Sequence, residues 1–315
     1  MGEVIADVIA LLGGVAVIVW GAETFAEHLA SAAARLGVTS FALALLLAGA
    51  EPEELATAVA ATLRDSPGIA FGDVIGANAA ICLVALGVGA VVAPLPFGPR
   101  VRRYALFGLP VGAVAVASMW DGRVGRTEGA ILVGLYIAYV AAIWIAERRP
   151  PALGETAELE EAHEPSRRVG RELLLVLAGL AAMVGGASLL VEGVRGLAKA
   201  DDTQARLSLT VVGFATAFEL VVLAWSATRR GISDAVVAAV VGSFAYNATM
   251  TLGAAALVRP LRIADAGPIR LPAVVMLAAL ALPILLAHRH RRLTRGSGVL
   301  LLAAYPVFTL IAVIA

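Results

Sequence analysis

Apolar residues fall in blocks of about twenty along the whole chain, and short polar punctuation separates them. A block of that length crosses a bilayer as a helix. A barrel strand would need only about ten residues, alternating in polarity. Ten spans are predicted, at 4–30, 38–64, 68–93, 102–119, 125–146, 171–195, 206–228, 232–258, 268–288 and 297–315. The fold class is therefore all-α, a polytopic membrane protein. One connection is long and polar: Glu147 to Arg171, with prolines near its ends and acids in its middle. It reads as a solvated linker, 147–170, between a first five-helix half at 1–146 and a second at 171–315.

Composition agrees with this pattern. Of 315 residues, 60% are hydrophobic and 15% charged, against roughly 25% charged in a soluble domain. Mean hydropathy is +0.89. Formal net charge is zero, which removes any global electrostatic argument for a nucleic-acid partner. Cys82 is the single cysteine, so intramolecular disulfides and cysteine metal clusters are excluded. The first block lacks a small-residue cleavage pattern and is expected to be a retained span. With ten alternating spans, fifteen basic residues fall on one side and nine on the other. The positive-inside rule makes the first group cytoplasmic, with both termini outside.

The halves overlay. At an offset of 165, Gly21-Ala22 falls on Gly186-Ala187, Glu27 on Glu192 and Glu54 on Glu219. After one inserted residue, Gly76 falls on Gly242, Ala77 on Ser243, Ile81 on Asn247 and Gly87 on Gly253. Five spans is an odd number, so the second half enters the membrane from the opposite side. Inverted repeats with broken helices near the midplane are an architecture of secondary transporters.

Chemistry is expected where charge enters an apolar span. Leu45 to Thr62 carries Glu51, Glu53 and Glu54 beside Gly49 and Pro52, which suggests a helix broken at that point. Val211 to Thr228 echoes it with Thr216 and Glu219. Glu51 and Glu54 share a helix face, as do Thr216 and Glu219; Ser243 and Asn247 are one turn apart on the next helix. Together these offer hard oxygen ligands suited to calcium or sodium. Clustered His or Cys for zinc or copper is lacking. Plainer roles stay open: first-turn acids complement a helix dipole, which applies most to Glu53, and Asn247, Ser243 and Thr216 could serve helix packing. Asp73 and Asn78 flank the first-half site, Asn78 a turn from the ligand face and Asp73 at a vestibule. Glu27 and Glu192, near span ends, are expected at the surface.

GAEPEE followed by PGIAFGDVIGANAA resembles the first alpha-repeat of the calcium/cation antiporter superfamily, and GFATAFE followed by VVGSFAYN is similar to the second. The resemblance covers about 100 residues of motif across both halves. It implies exchange of cytosolic calcium for sodium, protons or potassium, ions bound between the second, third, seventh and eighth helices, and an outside N-terminus. It also implies a central Glu from each repeat, here Glu54 and Glu219. The chain departs from the pattern at Ala50-Glu51, Pro52, Ala77 and Ile81. Neutral oxygens are lost there and a carboxylate is added, which suits proton coupling better than binding of several sodium ions.

The sequence thus reads as a secondary active antiporter, not an enzyme, exchanging calcium or a related cation for protons or sodium by alternating access. Its expected cation ligands are Glu54, Glu219, Glu51, Thr216, Ser243 and Asn247, with Asn78 and Asp73 beside them. Its partners are inorganic cations and the lipid bilayer, no resident cofactor is expected, and a monomer is compatible with the site. A prokaryotic plasma membrane is the expected location. A monovalent cation/proton exchanger, or a non-transporting membrane protein that keeps the fold, are the alternatives.

Overall fold

The computed structural model describes residues 2–35, 50–147, 169–231 and 233–315. The start of the second predicted span, including Gly49, and nearly all of the 147–170 linker lie outside the described residues.

Every apolar block is helical where described, because in a bilayer the backbone must satisfy its own hydrogen bonds. The helices are α1 (Gly2–Arg35), α2 (Pro52–Leu63), α3 (Pro67–Val92), α4 (Pro99–Ser118) and α5 (Arg126–Glu147) in the first half. The second half has α6 (Val169–Leu197), α7 (Asp201–Arg229) and α8, which begins at Ser233–Ala245 and ends at Leu252–Val258. It closes with α9 (Gly267–Ala287) and α10 (Arg295–Ile314). Four of these start with proline in the first turn, where its missing N–H costs nothing. A capping box of Thr294 and Ser297 starts α10. Among the described residues eight helices are long and apolar enough to cross a membrane. The other two are α2, described only from Pro52, and α4, whose first turn carries Arg100 and Arg102.

The inverted relationship is visible in contacts. α1 and α6 pack antiparallel through glycines: a Cβ on Gly14 would stand 2.5 Å from the Leu190 nitrogen and 2.7 Å from the Gly186 carbonyl. The 165 offset carries Gly14·Gly186 onto Gly179·Gly21, which is also a contact. One twofold axis therefore relates the halves. The loops obey it too. β1 (Leu95–Pro96) pairs antiparallel with β4 (Arg292–Leu293), and β2 (Arg123–Val124) with β3 (Leu261–Arg262). Leu95 faces Leu293 as Leu261 faces Val124. The two ladders join the α3–α4 connection to α9–α10, and α4–α5 to α8–α9. An alternating ten-crossing path puts both partners of each ladder on one side.

α3 and α8 are almost wholly enclosed, as expected for helices apolar on every face. α1, α5, α6 and α10 leave most of their residues at least partly exposed, as lipid-facing helices do. α3 runs parallel to α7: Gly68 lies on Asp201 and Ala205, Gly72 on Ala205 and Ser208, and Gly76 on Leu209. This close approach brings acids of the first half against the second.

Candidate cation site

α2 begins at Pro52, and Glu51 just outside it has φ −117° and ψ 85°. Glu51 makes no side-chain cap bond. Its carboxyl instead accepts a hydrogen bond from the Ser243 hydroxyl of α8, in the other half. The helix-cap alternative is thereby replaced by a contact between the repeats.

α7 is interrupted at the matching place. A turn at Ala217, which the 165 offset pairs with Pro52, separates Gly213–Thr216 from Phe218–Arg229. Thr216 ends the first piece, and its hydroxyl lies 3.1 Å from both Asp73 Oδ1 and the Val212 carbonyl. Glu54 stands beside Thr216 and Asp73, and Glu53 beside Glu51. Four carboxyls, Glu51, Glu53, Glu54 and Asp73, therefore share one enclosed region with two hydroxyls. None of the four is more than 3% exposed.

Glu53 Oε2, Glu54 Oε2, Asp73 Oδ2 and Asn78 Oδ1 are buried without a hydrogen-bond partner. Such oxygens are costly in an apolar interior unless a cation or proton joins them. Among the described residues no three acid, histidine or cysteine side chains already converge as a metal centre. A cation here would draw on carboxyl, hydroxyl and amide oxygens together, the mixed set that hard cations accept.

α3, α7 and α8 each carry a π-helical turn, at Ile81–Ala85, Ser208–Val212 and Tyr246–Thr251. Such turns gather at functional sites because they re-aim side chains and loosen backbone carbonyls. Asn247 lies in one of them, buried, with its Oδ1 accepting from Thr251 at 3.4 Å. Its counterpart Ile81 is apolar and buried, as is Ala77, the counterpart of Ser243. The arrangement is lopsided: α2 and α3 contribute acids, whereas α7 and α8 contribute hydroxyls and an amide.

The structure corrects two expectations, at Asp73 and Glu219, and adds to a third. Asp73 is not at a vestibule; it is fully buried between Thr216 and Glu54. Glu53 stands in the first turn of α2, as expected, and is also enclosed with the other acids. Glu219 is half-buried rather than enclosed, next to the exposed Phe218. The carboxyls that bear on Glu54 are those of Asp73 and Glu53. Asn78 turns its amide toward Met276 Sδ at 3.6 Å. Glu27 and Glu192 are exposed, as expected.

A signal for Glu53 was present. Leu55, Val59 and Leu63 form the large apolar stripe of α2, and it is the outward one, with Leu63 64% exposed. Glu53 stands about 200° around the helix from Leu55 and shares the inner face with Thr57. For Asp73, the signal was its place directly after Gly72 in the glycine row of α3.

A profile of the sodium/calcium exchanger protein family matches residues 7–145 and 171–314. The inner membrane protein YrbG of Escherichia coli K12 is 26% identical over 265 residues, 82% of each chain. CaxA of Alkalimonas amylolytica is 23% identical over 304 residues, 94% of this chain and 95% of its own. A solved structure of the sodium-calcium exchanger NCX_Mj, soaked with sodium and strontium, has the same fold. Its TM-score is 0.62 at 22% identity, over 96% of this chain and 97% of the other.

Proposed function

The chain belongs to the sodium/calcium exchanger protein family, and from that premise we propose that it is a secondary active antiporter exchanging calcium, or a related cation, for protons or sodium. One observation carries this reading: the buried carboxyls of Glu51 and Asp73 are each held by a hydroxyl of the opposite repeat, Ser243 and Thr216, with Glu54 beside Asp73. A site shared in this way changes shape when one repeat moves against the other, which is what alternating access requires.

Glu54 is the central ligand from the first repeat and Glu219 from the second; Glu51, Thr216, Ser243 and Asn247 complete the set. Half-buried Glu219 lies in the C-terminal part of α7 and meets the cation as that helix shifts. Protons are the favoured coupling ion. Apolar Ala77 and Ile81 replace oxygen donors that sodium would use, while a carboxylate can exchange a cation for a proton. The cations are cargo, so no resident cofactor is required. The name of YrbG supports placement in a prokaryotic plasma membrane, and the arginine distribution supports both termini outside.

The test is flux in proteoliposomes under imposed sodium or proton gradients, with Glu54→Gln and Glu219→Gln as controls. Calcium uptake driven by a proton gradient, and lost in both variants, is the expected result. Sodium flux without calcium flux would replace this reading with a monovalent exchanger. Absence of any cation flux, with wild type equal to the variants, would leave a non-transporting protein.

A further inference from the structure

We propose that Asp73 is a specificity-determining residue of this site, a carboxyl that makes it discriminate divalent from monovalent cations. The inference rests on the antiporter reading above and deepens it.

The glycines of α3 set the geometry. A Cβ on Gly72 would stand 2.5 Å from the Ala205 carbonyl and 2.7 Å from Ser208 Cβ, and one on Gly76 would stand 2.4 Å from the Leu209 carbonyl. α3 therefore lies directly on α7, and the residue after Gly72 cannot avoid the Thr216 turn. Asp73 meets Thr216 there at 3.1 Å through Oδ1. Its Oδ2 remains buried and unpartnered, as does Oε2 of the neighbouring Glu54. Two carboxyls from adjacent helices thus each keep one open oxygen in the same enclosed space.

Asp73 is also one-sided. The repeat axis carries it to Ala239 on α8, which brings no charge. Its acid is accordingly an addition to the pair Glu54 and Glu219, placed in the half that lacks hydroxyl and amide oxygens at Ala77 and Ile81. Adding carboxylates at fixed geometry raises attraction in proportion to the charge of the ion. In oxygen-ligand sites the number of charged ligands tunes calcium affinity over orders of magnitude. A single sodium ion gains half as much from each added acid and leaves more of the mutual repulsion among the acids in place.

The experiment compares wild type with Asp73→Asn and Asp73→Glu, full-length in proteoliposomes, measuring calcium uptake against increasing sodium. Asp73→Asn keeps shape and removes charge. It is expected to raise the calcium half-saturation concentration at least tenfold and to lower calcium-over-sodium discrimination by a similar factor. Asp73→Glu should retain most of the discrimination. A structural role alone would lower transport of both ions equally, and that outcome overturns the proposal, as does unchanged discrimination. If Asp73→Asn does not fold, Thr216→Val removes the hydroxyl that holds Asp73 and should shift discrimination in the same direction; no shift overturns the proposal. A wild type that moves no cation removes the antiporter reading and this proposal with it. A transporting wild type with an equally selective Asp73→Asn removes this proposal alone.

Discussion

His28 and Glu172 meet at 2.7 Å across the interface of α1 and α6. The repeat axis carries this pair to Gly193 and Asp7, where the glycine has no side chain to bond. The two helices are antiparallel and related by the axis, yet this side-chain bond has no equivalent at the axis-related position, where a glycine stands.

Glu172 is buried, so removing His28 takes one polar partner from an enclosed carboxyl. His28→Leu is expected to lower stability by about 1–3 kcal/mol. The readout is the thermal unfolding midpoint in detergent. The double variant His28→Leu with Glu172→Leu should recover part of the loss, because the enclosed carboxyl is then gone as well. A single variant as stable as wild type would show that the pair contributes nothing.

The α1–α6 contact depends on particular glycines. Alanine at Gly14 or Gly186 would push a Cβ into backbone of the facing helix, whereas Gly13 and Gly185 have nothing within 4 Å. Gly14→Ala and Gly186→Ala should each cost about 1–3 kcal/mol by overpacking and slow exchange. Gly13→Ala and Gly185→Ala should be neutral or slightly stabilising through helix propensity. Equal effects at neighbouring positions would contradict the packing described.

Glu53→Gln and Glu51→Gln should each reduce cation flux at least tenfold, because both carboxyls belong to the buried network. Glu192→Gln should leave flux unchanged, since its side chain is 65% exposed and, among the described residues, its ion-pair contact is with Arg64 at 4.0 Å. Flux in the same proteoliposomes decides between these outcomes.

Cys82 is fully buried in the π-helical turn of α3. A membrane-impermeant maleimide should therefore leave the folded protein unlabelled and react only on denaturation. Labelling under native transport conditions would mean that this turn opens to water during the cycle.

Much of this molecule is written in its hydrophobic pattern. Each predicted span corresponds to a helix where described, with ends displaced by a few residues, because the bilayer forces long apolar segments to satisfy their own backbone bonds. The matched glycines and acids at an offset of 165 anticipated the axis that the α1–α6 contact displays. The break in α7 falls at Ala217, beside the expected Thr216 and Glu219, and Ser243 and Thr216 do reach acids of the other half.

The two-residue ladders were not legible, since Leu95–Pro96 and Arg292–Leu293 carry no strand pattern of their own and pair only because the helices bring their loops together. Nor were the ranks of the acids. Sequence spacing says which residues share a helix face, and on that basis Glu51 and Glu54 were separated from Glu53, and Asp73 was set at a margin. Which face is buried depends on what packs against it. α2 turns only its Leu55, Val59 and Leu63 stripe outward, and the glycine row of α3 draws α7 onto Asp73. The chain by itself determined where helices run and which positions correspond in the two halves, because both follow from local hydrophobicity and repetition. Only the tertiary structure decided which carboxyls share a site, because that is set by distances between helices far apart in sequence.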